Sequence, residues 1–267
     1  MPGGNAQLIA YDFVTGTTIN IGPLHPYYIN AVGFSQVTGE IWGYIGGTNQ
    51  IVAVDPATGA STSFAIPNLP AGFTLNCADV SPDGYYYLLN GGGTTYYVID
   101  VNPARATYLQ LVDPTNGYSL ETSSFGTTAS TPLYSADATF NPADGRLYMF
   151  DGQYMTALDA QTGIVTYVGA VNGMPAPGAT YGAMYFDASG DLYVVNNTTA
   201  AYYRIDLATM TGTYVSTGSG APLASNDGAA NPSGRFLGAF DTDASPNTIT
   251  FNVTSVNDAP VFNLDPN

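Results

Sequence analysis

Short apolar runs alternate with turn sequences along the whole chain. The run Tyr181–Phe186 is followed by Leu192–Asn196, Ala201–Leu207 and Gly212–Thr217, with Gly, Asp and Thr residues between them. Runs of this kind, rich in Val, Ile and Tyr, are typical of β-strands. Asp-Gly and Thr-Gly pairs favour the tight turns of antiparallel hairpins. We therefore predict an all-β fold in which four consecutive strands, A to D, form one antiparallel sheet.

The predicted turn between strands C and D carries a repeated aspartate. The motif is a hydrophobic pair, an Asp and a turn that ends in Thr-Gly or a related pair. Its five copies are separated by 43, 45, 59 and 47 residues, and their aspartates are Asp12, Asp55, Asp100, Asp159 and Asp206. Asp at such a position accepts hydrogen bonds from backbone N–H groups of its own turn. Because the position is repeated, whereas an active site occurs once, we predict that these residues cap turns.

The period of the repeat indicates the architecture. Four strands in about 40–50 residues are typical of one blade of a β-propeller. A second motif, an apolar strand, a turn with Gly and an aromatic strand, alternates with the first, as in Val80–Tyr87, Phe140–Tyr148 and Phe186–Tyr193. It corresponds to strands A and B of each blade.

The two ends of the repeat are incomplete in complementary ways. The N-terminal part supplies only C and D strands, Gln7–Asp12 and Thr17–Gly22, whereas the last repeat is followed only by A and B strands, Gly228–Asn231 and Arg235–Phe240. Joined into one composite blade, they close the ring and remove exposed sheet edges. We therefore predict a five-bladed β-propeller.

The alternative is a six-bladed propeller that uses the long segment Asp113–Leu133, with one weak strand at Tyr118–Glu121, as an irregular blade. We expect this segment to be a loop. We assign residues 1–246 to the propeller and residues 247–267 to a C-terminal strand and linker.

Charge and composition exclude several classes of partner. Charged residues are only 9% of the chain, with four Arg, no Lys, eighteen Asp and two Glu, and the net charge is −16. Such a field repels nucleic acids and anionic membranes. No run approaches the ~20 apolar residues of a membrane span. We expect neither nucleic-acid binding nor membrane insertion.

The scarcity of His and Cys argues against catalysis. His25 and Cys77 are the only residues of their types, which excludes most nucleophile–base pairs and any internal disulfide. Cys77 lies in an apolar run, and we expect it to be a small core residue. Asp79, Asp137 and Asp227 lie near the starts of inner strands, and we expect them to stabilise turns or channel water. A metal in the channel and a glycosidase that runs on two carboxylates remain alternatives for these three.

One face of the predicted propeller carries the long loops. The D-to-A and B-to-C connections share that face, and they are rich in Asn, Gly and Tyr. Aromatic rings can stack on the C–H face of a sugar, while amides and carboxylates bind its hydroxyls. The candidate ligand-binding residues are His25, Tyr27, Tyr28, Asn30, Asn49, Asn76, Asn90, Asp151, Tyr181, Asn196 and Asn226.

The C-terminal tail resembles a different class of protein. The string Val256–Val261, Val-Asn-Asp-Ala-Pro-Val, is similar to the junction between cadherin-like repeats of large bacterial surface adhesins. The propeller repeat loosely resembles bacterial YVTN-like propellers. The resemblance implies an extracellular, cell-surface protein in which this chain is one module. Because a propeller closes its own sheet edges, we expect this module to be a monomer. It also implies a calcium (Ca2+) site with Asp258 as a ligand. Because calcium needs more oxygens than Asn257 and Asp258 supply, Asp241 and Asp243 are further candidate ligands, with Asp265 as another carboxylate. A solvated acidic linker is equally compatible with the sequence.

Taken together, these features favour a non-catalytic module that binds a glycan or another surface polymer through the long-loop face. A structural spacer or protein-interaction platform is the first alternative. A polysaccharide-cleaving enzyme is the second.

Overall fold

The computed structural model describes residues 5–12, 17–72, 75–90, 92–113, 127–128, 133, 135–175, 179–218 and 227–232. Within these ranges every regular element is a β-strand, and no helix long and apolar enough to cross a membrane occurs there.

The strands form one two-stranded sheet and four four-stranded sheets. The two-stranded sheet contains β1 (Ala6–Asp12) and β2 (Thr17–His25). The first sheet contains β3 (Ile29–Phe34), β4 (Ile41–Ile45), β5 (Gln50–Val54) and β6 (Ser61–Ala65). The second contains β7 (Cys77–Val80), β8 (Tyr85–Leu89), β9 (Thr95–Asp100) and β10 (Thr127–Thr128). The third contains β11 (Ala138–Phe140), β12 (Leu147–Phe150), β13 (Tyr154–Leu158) and β14 (Val165–Ala170). The fourth contains β15 (Tyr181–Phe186), β16 (Leu192–Asn196), β17 (Ala201–Asp206) and β18 (Thr211–Thr217).

Each four-stranded sheet is an antiparallel meander in chain order, as expected for a propeller blade. The first strands, which we call the inner strands, contact one another in sequence: β3 contacts β7, β7 contacts β11, and β11 contacts β15. The prediction of an all-β, propeller-like fold is therefore confirmed, with four complete blades among the described residues.

The hydrophobic core lies between neighbouring sheets rather than inside one of them. Trp42 and Tyr44 of the first sheet pack with Tyr86 and Leu88 of the second. Equivalent apolar clusters join the second sheet to the third and the third to the fourth. Because each sheet is covered on both faces by its neighbours, its two middle strands are mostly apolar and buried, as in other sheets buried on both sides.

The two-stranded sheet lies between the fourth sheet and the first. The ring of Tyr11 in β1 stacks on Tyr202 with centroids 4.1 Å apart, and the Tyr11 hydroxyl lies 2.9 Å from Ser216 Oγ. On the other side, Gly22 touches the turn of the first sheet so closely that a Cβ added there would be 2.1 Å from the Thr58 carbonyl oxygen. Only glycine fits this approach, and its φ of +66° also favours glycine.

Segment 227–232 occupies the same gap at the level of the inner strands. The Val32 N–H of β3 donates to Asp227 Oδ2 over 3.0 Å. A Cβ added to Gly228 would lie 2.6 Å from Cβ of Ala183 in β15. The segment therefore lies between β15 and β3. The predicted B strand at 235–240 and the tail from 247 onward lie outside the described residues.

The outer edge of the second sheet is built differently from the others. Leu111 bridges Ile99, and the separate strand β10 pairs with Tyr96 and Thr95 farther along β9. The expectation that Asp113–Leu133 is only a loop was therefore wrong at Thr127–Thr128, because these residues extend the outer edge of the second sheet. The weak strand predicted at Tyr118–Glu121 lies outside the described residues.

Candidate functional site

The repeated turn aspartates cap their own turns, as predicted. Oδ1 of Asp159 accepts the N–H groups of Gln161 and Thr162, both over 3.0 Å. Asp55 and Asp206 make the same pair of bonds. Backbone donors to the ionised carboxyl lower the pKa of all three aspartates. The side chain of Asp12 lies outside the described residues.

Asp100 caps the corresponding turn of the second sheet, and its side chain is buried. Its Oδ1 accepts the Asn102 N–H over 2.9 Å and the Arg105 guanidinium over 3.2 Å. Oδ2 accepts the Thr107 hydroxyl over 2.5 Å. A buried carboxylate needs such compensation, and Arg105 of the same turn supplies a cation.

Asp79 joins three inner strands on the central channel. Its Oδ2 accepts the Phe140 N–H over 2.8 Å and the Thr139 hydroxyl over 3.0 Å, both from β11. Its Oδ1 accepts the Val80 N–H over 2.7 Å, and the Phe34 N–H of β3 is a further donor. Burial raises the pKa of Asp79 to about 7, although these donors oppose the shift.

Asp137 and Asp227 perform the same task at another level of the channel. Asp137 is fully buried, and its Oδ2 accepts the Met184 N–H of β15 over 2.6 Å. Asp227 accepts the Val32 N–H in the same way. Burial raises the pKa of both carboxyls, and the charge of Asp227 raises that of Asp137 further. All three channel acids therefore hold neighbouring inner strands together.

A small pocket opens at the end of the channel next to the A-to-B turns. It is lined by residues of β3, β7, β11, β15 and segment 227–232, among them Phe34, Asp79, Phe140, Phe186 and Pro232. This is the short-turn end, opposite to the face on which the candidate ligand-binding loops were predicted. The oxygens of Asp79 at its edge already accept hydrogen bonds from the protein.

His25 and Tyr27 meet at Ser61, away from the channel. His25 Nδ1 lies 3.1 Å from Ser61 Oγ, and the Tyr27 hydroxyl lies 3.3 Å from the same oxygen. The imidazole is only 3% exposed, which lowers its pKa by desolvation, and its Nε2 has no hydrogen-bond partner among the described residues. β2 extends to His25 and buries the ring beside β6, so this candidate ligand-binding residue lies on a strand rather than in an exposed loop.

Tyr28 and Asn30 lie at the start of the inner strand β3 instead. The Tyr28 ring packs on Gly46 of the B-to-C loop, where an added Cβ would be 2.9 Å from Tyr28 Cδ1. The Asn30 amide donates to the Leu75 carbonyl of the next sheet over 3.4 Å. Both side chains are half-buried, as is Asn76. His25 and Tyr27 therefore lie beside Ser61, whereas Tyr28 and Asn30 contact Gly46 and Leu75, although all four are neighbours in the sequence.

The remaining candidates stabilise the loops in which they lie. Oδ1 of Asp151 accepts the N–H groups of Gln153 and Tyr154, and Oδ1 of Asn196 accepts those of Thr198 and Thr199.

The main-chain groups of Asn49 and Asn90 bond to Ile66 and Thr95. Tyr181 is buried against Phe150 and pairs with Asn196 across the sheet.

Several predicted site residues lie outside the described part of the chain. These are Asn226 and the candidate calcium ligands Asp241, Asp243 and Asp258. Among the described residues, no three His, Cys, Asp or Glu side chains are placed to hold a metal ion. The channel-metal alternative for Asp79, Asp137 and Asp227 therefore gains no support.

The sequence did not reveal Ser61 or the Tyr11–Tyr202 stack. Each contact joins residues that are distant in the chain, 36 positions for Ser61 and His25 and 191 for Tyr11 and Tyr202. The signal that could have found them is the composite blade itself, since placing β1–β2 next to both the first and the fourth sheets predicts contacts across both gaps.

The fold and these contacts define a propeller-like repeat protein whose described acidic side chains mostly bind its own backbone. Residues 3–233 match the family described as "Repeat of unknown function (DUF6923)", and the chain belongs to this family. No curated protein sequence matches the chain.

Solved structures are similar to it at low sequence identity, and they include two lyases and a putative TolB. A streptogramin B lyase is 15% identical with a TM-score of 0.44, over 82% of this chain and 61% of the lyase, so the chain spans less than two thirds of that protein. An inactive virginiamycin B lyase from Staphylococcus aureus, with quinupristin, is 14% identical with a TM-score of 0.43, over 83% and 76%. A putative TolB from Agrobacterium tumefaciens is 13% identical with a TM-score of 0.46, over 82% and 73%.

Proposed function

We propose that this domain is a non-catalytic, extracellular ligand-binding module of a bacterial adhesin. It binds a glycan or another surface polymer through the face that carries the D-to-A and B-to-C loops. The observation that carries the proposal is the half-exposed Tyr28 ring on Gly46, two residues before Asn30 at the start of β3. A ring fixed on a loop beside an amide is suited to stacking on a sugar and bonding its hydroxyls.

Five blades, one of them composite, form the frame of this proposal. The two-stranded sheet and segment 227–232 occupy the same gap between the fourth sheet and the first, which supports a blade made from both ends. The pocket lined by five inner segments supports the same count. An experimental structure with six blades, or with these two pieces in separate blades, would contradict it.

The absence of catalysis is part of the proposal and rests on how the carboxylates are used. Asp79, Asp137 and Asp227 accept backbone N–H groups of neighbouring strands. A reaction that used these carboxyls would therefore break hydrogen bonds between the strands. Asp151 is likewise engaged in its own loop. A glycosidase requires a pair of carboxyls that face a substrate.

A glycan array probed with the full chain in the presence of calcium tests the binding role. We expect Tyr28→Ala to abolish binding and Tyr167→Ala, a 60% exposed ring on the outer strand β14, to preserve it. No binding to glycans, proteins or cell surfaces would favour the structural spacer. Polysaccharide hydrolysis that Asp137→Asn abolishes would establish the enzyme instead.

Calcium binding by Asp241, Asp243 and Asp258 belongs to the same proposal, together with a cell-surface location and a monomeric state. Millimolar calcium should raise the melting temperature of the full chain, because a ligand that binds only the folded state stabilises it. An unchanged melt and a triple Asp→Asn variant that behaves like the parent chain would argue against the site. Sedimentation as a dimer at micromolar concentration would argue against the monomer.

A further inference from the structure

Charged side chains are distributed unevenly between the two ends of the sheets. Because each sheet is an antiparallel meander, its A-to-B and C-to-D turns lie at one end, the short-turn end, and its B-to-C loop lies at the other. The turns at the short-turn end carry a series of carboxylates: Glu40, Asp55, Asp83, Asp100, Asp144, Asp159, Asp187, Asp191 and Asp206. This end of the fold is therefore strongly acidic.

The arginines of the chain belong to the same end. Ion pairs of 2.8–3.4 Å join the described arginines to turn aspartates: Arg105 to Asp83 and Asp100, Arg146 to Asp144, and Arg204 to Asp191. The fourth arginine, Arg235, follows the Asn-Pro pair of segment 227–232 in the sequence, as Arg146 follows the Asn-Pro pair after β11. The described cations therefore neutralise carboxylates of the short-turn end.

The long-loop face has a different composition. Its nine connections contain no Lys or Arg in the sequence: 22–28, 46–50, 67–74, 90–95, 113–133, 151–154, 170–180, 196–200 and 218–225. Their acidic residues are Asp113, Glu121 and Asp151. Their one imidazole, His25, is only 3% exposed, and burial lowers its pKa, so it is neutral at pH 7. The long-loop face therefore offers an acidic ligand no cationic side chain.

The polar groups around Tyr28 are uncharged and held in place. The adjacent B-to-C loop 46–50 reads Gly-Gly-Thr-Asn-Gln, and the Gly46 N–H donates to the Tyr28 carbonyl over 3.1 Å. The Thr48 hydroxyl donates to the Ile45 carbonyl, and the Tyr44 hydroxyl donates to the Thr48 carbonyl, both over 2.7 Å. The loop beneath the ring is thus fixed before a ligand arrives, which reduces the entropy lost on binding.

We propose that the ligand of the long-loop face is a neutral glycan, an inference that rests on the glycan-binding role proposed above. A neutral sugar stacks its C–H face on Tyr28 and bonds its hydroxyls to amide and main-chain groups. A sulfated or carboxylated sugar gives up hydration without gaining a cation, and it meets a chain with a net charge of −16. A polymer that carries amines is attracted instead to the acidic short-turn end.

A glycan array with neutral members and their sulfated or carboxylated counterparts tests the inference, probed with the full chain at low and high salt, with calcium and with a chelator. We expect binding to neutral members, with an affinity that changes less than about twofold between about 0.02 M and about 0.5 M salt. Acidic counterparts of the same backbone should bind at least about tenfold more weakly at low salt. Tyr28→Phe should keep the binding that Tyr28→Ala abolishes, because the ring makes the stacking contact.

A matched pair of variants tests the charge argument directly. Asn49→Arg adds a cation to the exposed B-to-C loop and should raise the affinity for acidic glycans at low salt about tenfold. The control Thr62→Arg adds the same charge to an exposed position of the outer strand β6 and should leave the preference of the parent chain unchanged.

Three results would overturn the inference and leave the glycan-binding role in place. They are a preference of the parent chain for acidic glycans at low salt, acidic-glycan binding that requires calcium, and a preference for an amine-bearing glycan such as chitosan that Tyr28→Ala abolishes. Binding to no member of the array, neutral or charged, would overturn the proposed glycan-binding role and this inference with it.

Discussion

The inner and outer strands of the sheets use the same β geometry for opposite purposes. On the inner segments, Asp79, Asp137 and Asp227 lie on the channel and accept N–H groups from neighbouring strands. On the outer strands, Tyr167 and Tyr214 are 60% and 54% exposed, and the turn aspartates bond only within their own turns.

The difference shows where the ring depends on individual side chains. An inner carboxyl joins segments from different sheets, so its loss leaves buried donors without acceptors. An outer side chain serves one hairpin and competes with water for its contacts. Substitution of the same residue type should therefore lower the stability of the fold strongly on the channel and weakly on the outer strands, which we call the rim.

Asp79→Ala should give the largest loss of stability. It removes the acceptor of the Phe140 and Val80 N–H groups and of the Thr139 hydroxyl, and unsatisfied buried donors cost about 1–3 kcal/mol each. We expect the free energy of unfolding, measured with urea, to fall by about 4 kcal/mol. The matched rim variant Asp159→Ala should lose about 1 kcal/mol. Equal losses would contradict the contrast between channel and rim.

Gly33→Ala should be the next most harmful change. A Cβ there would lie 2.6 Å from Asp79 Cα and 2.7 Å from the Val80 nitrogen, and backbone atoms cannot move aside without shifting β3 from β7. We expect a loss of about 3 kcal/mol in chemical unfolding. Gly145→Ala, in an open turn with φ of +70°, should cost about 1 kcal/mol from left-handed strain alone. A milder effect at Gly33 than at Gly145 would mean that the inner strands are not closely packed.

Tyr86→Phe tests a neutral hydrogen bond between the first two sheets. The buried hydroxyl donates to the Ala31 carbonyl, which would lose this donor. We expect the midpoint of thermal unfolding to fall, with a loss of about 1–2 kcal/mol. Tyr214→Phe, whose hydroxyl meets Thr217 at the surface, should be nearly silent. The reverse order of the two variants would argue that rim contacts carry the stability.

His25→Gln should give the smallest effect, visible only as a change in pH dependence. Burial lowers the pKa of His25, so the unfolded chain gains a proton first as pH drops below its ordinary value of about 6.5. This single group therefore lowers the stability of the parent chain on acidification. The difference in unfolding midpoint between parent and variant should change between about pH 7 and about pH 5. A constant difference would show that the imidazole is not buried in solution.

Local pattern predicted the strands well because each strand and turn is specified within its own repeat. All four strands of the fourth sheet agree with prediction to within one residue at each end. The caps at Asp55, Asp159 and Asp206 were predicted for the same reason, since a side chain and its own turn are adjacent in the chain.

The contacts between repeats were not predictable in the same way. Asp79 bonds to Phe140, 61 positions away, and Asp137 bonds to Met184, 47 positions away. The burial of His25 depends on Ser61 in another sheet, and β10 depends on pairing with a strand that precedes it by a long segment. Such partners follow from how the sheets are arranged around the channel, which single-strand patterns do not specify.

The burial of Cys77 provides a chemical reporter of the separation of β7 from its neighbours. Its thiol is fully buried on β7 and donates to the Ser135 carbonyl over 2.8 Å, and burial raises its pKa. Since only the thiolate reacts at an appreciable rate, the native chain should be almost inert to maleimides and disulfide reagents. Any labelling must then wait for β7 to separate from its neighbours. The sole cysteine of the chain thus measures the rate of that separation without any engineered probe.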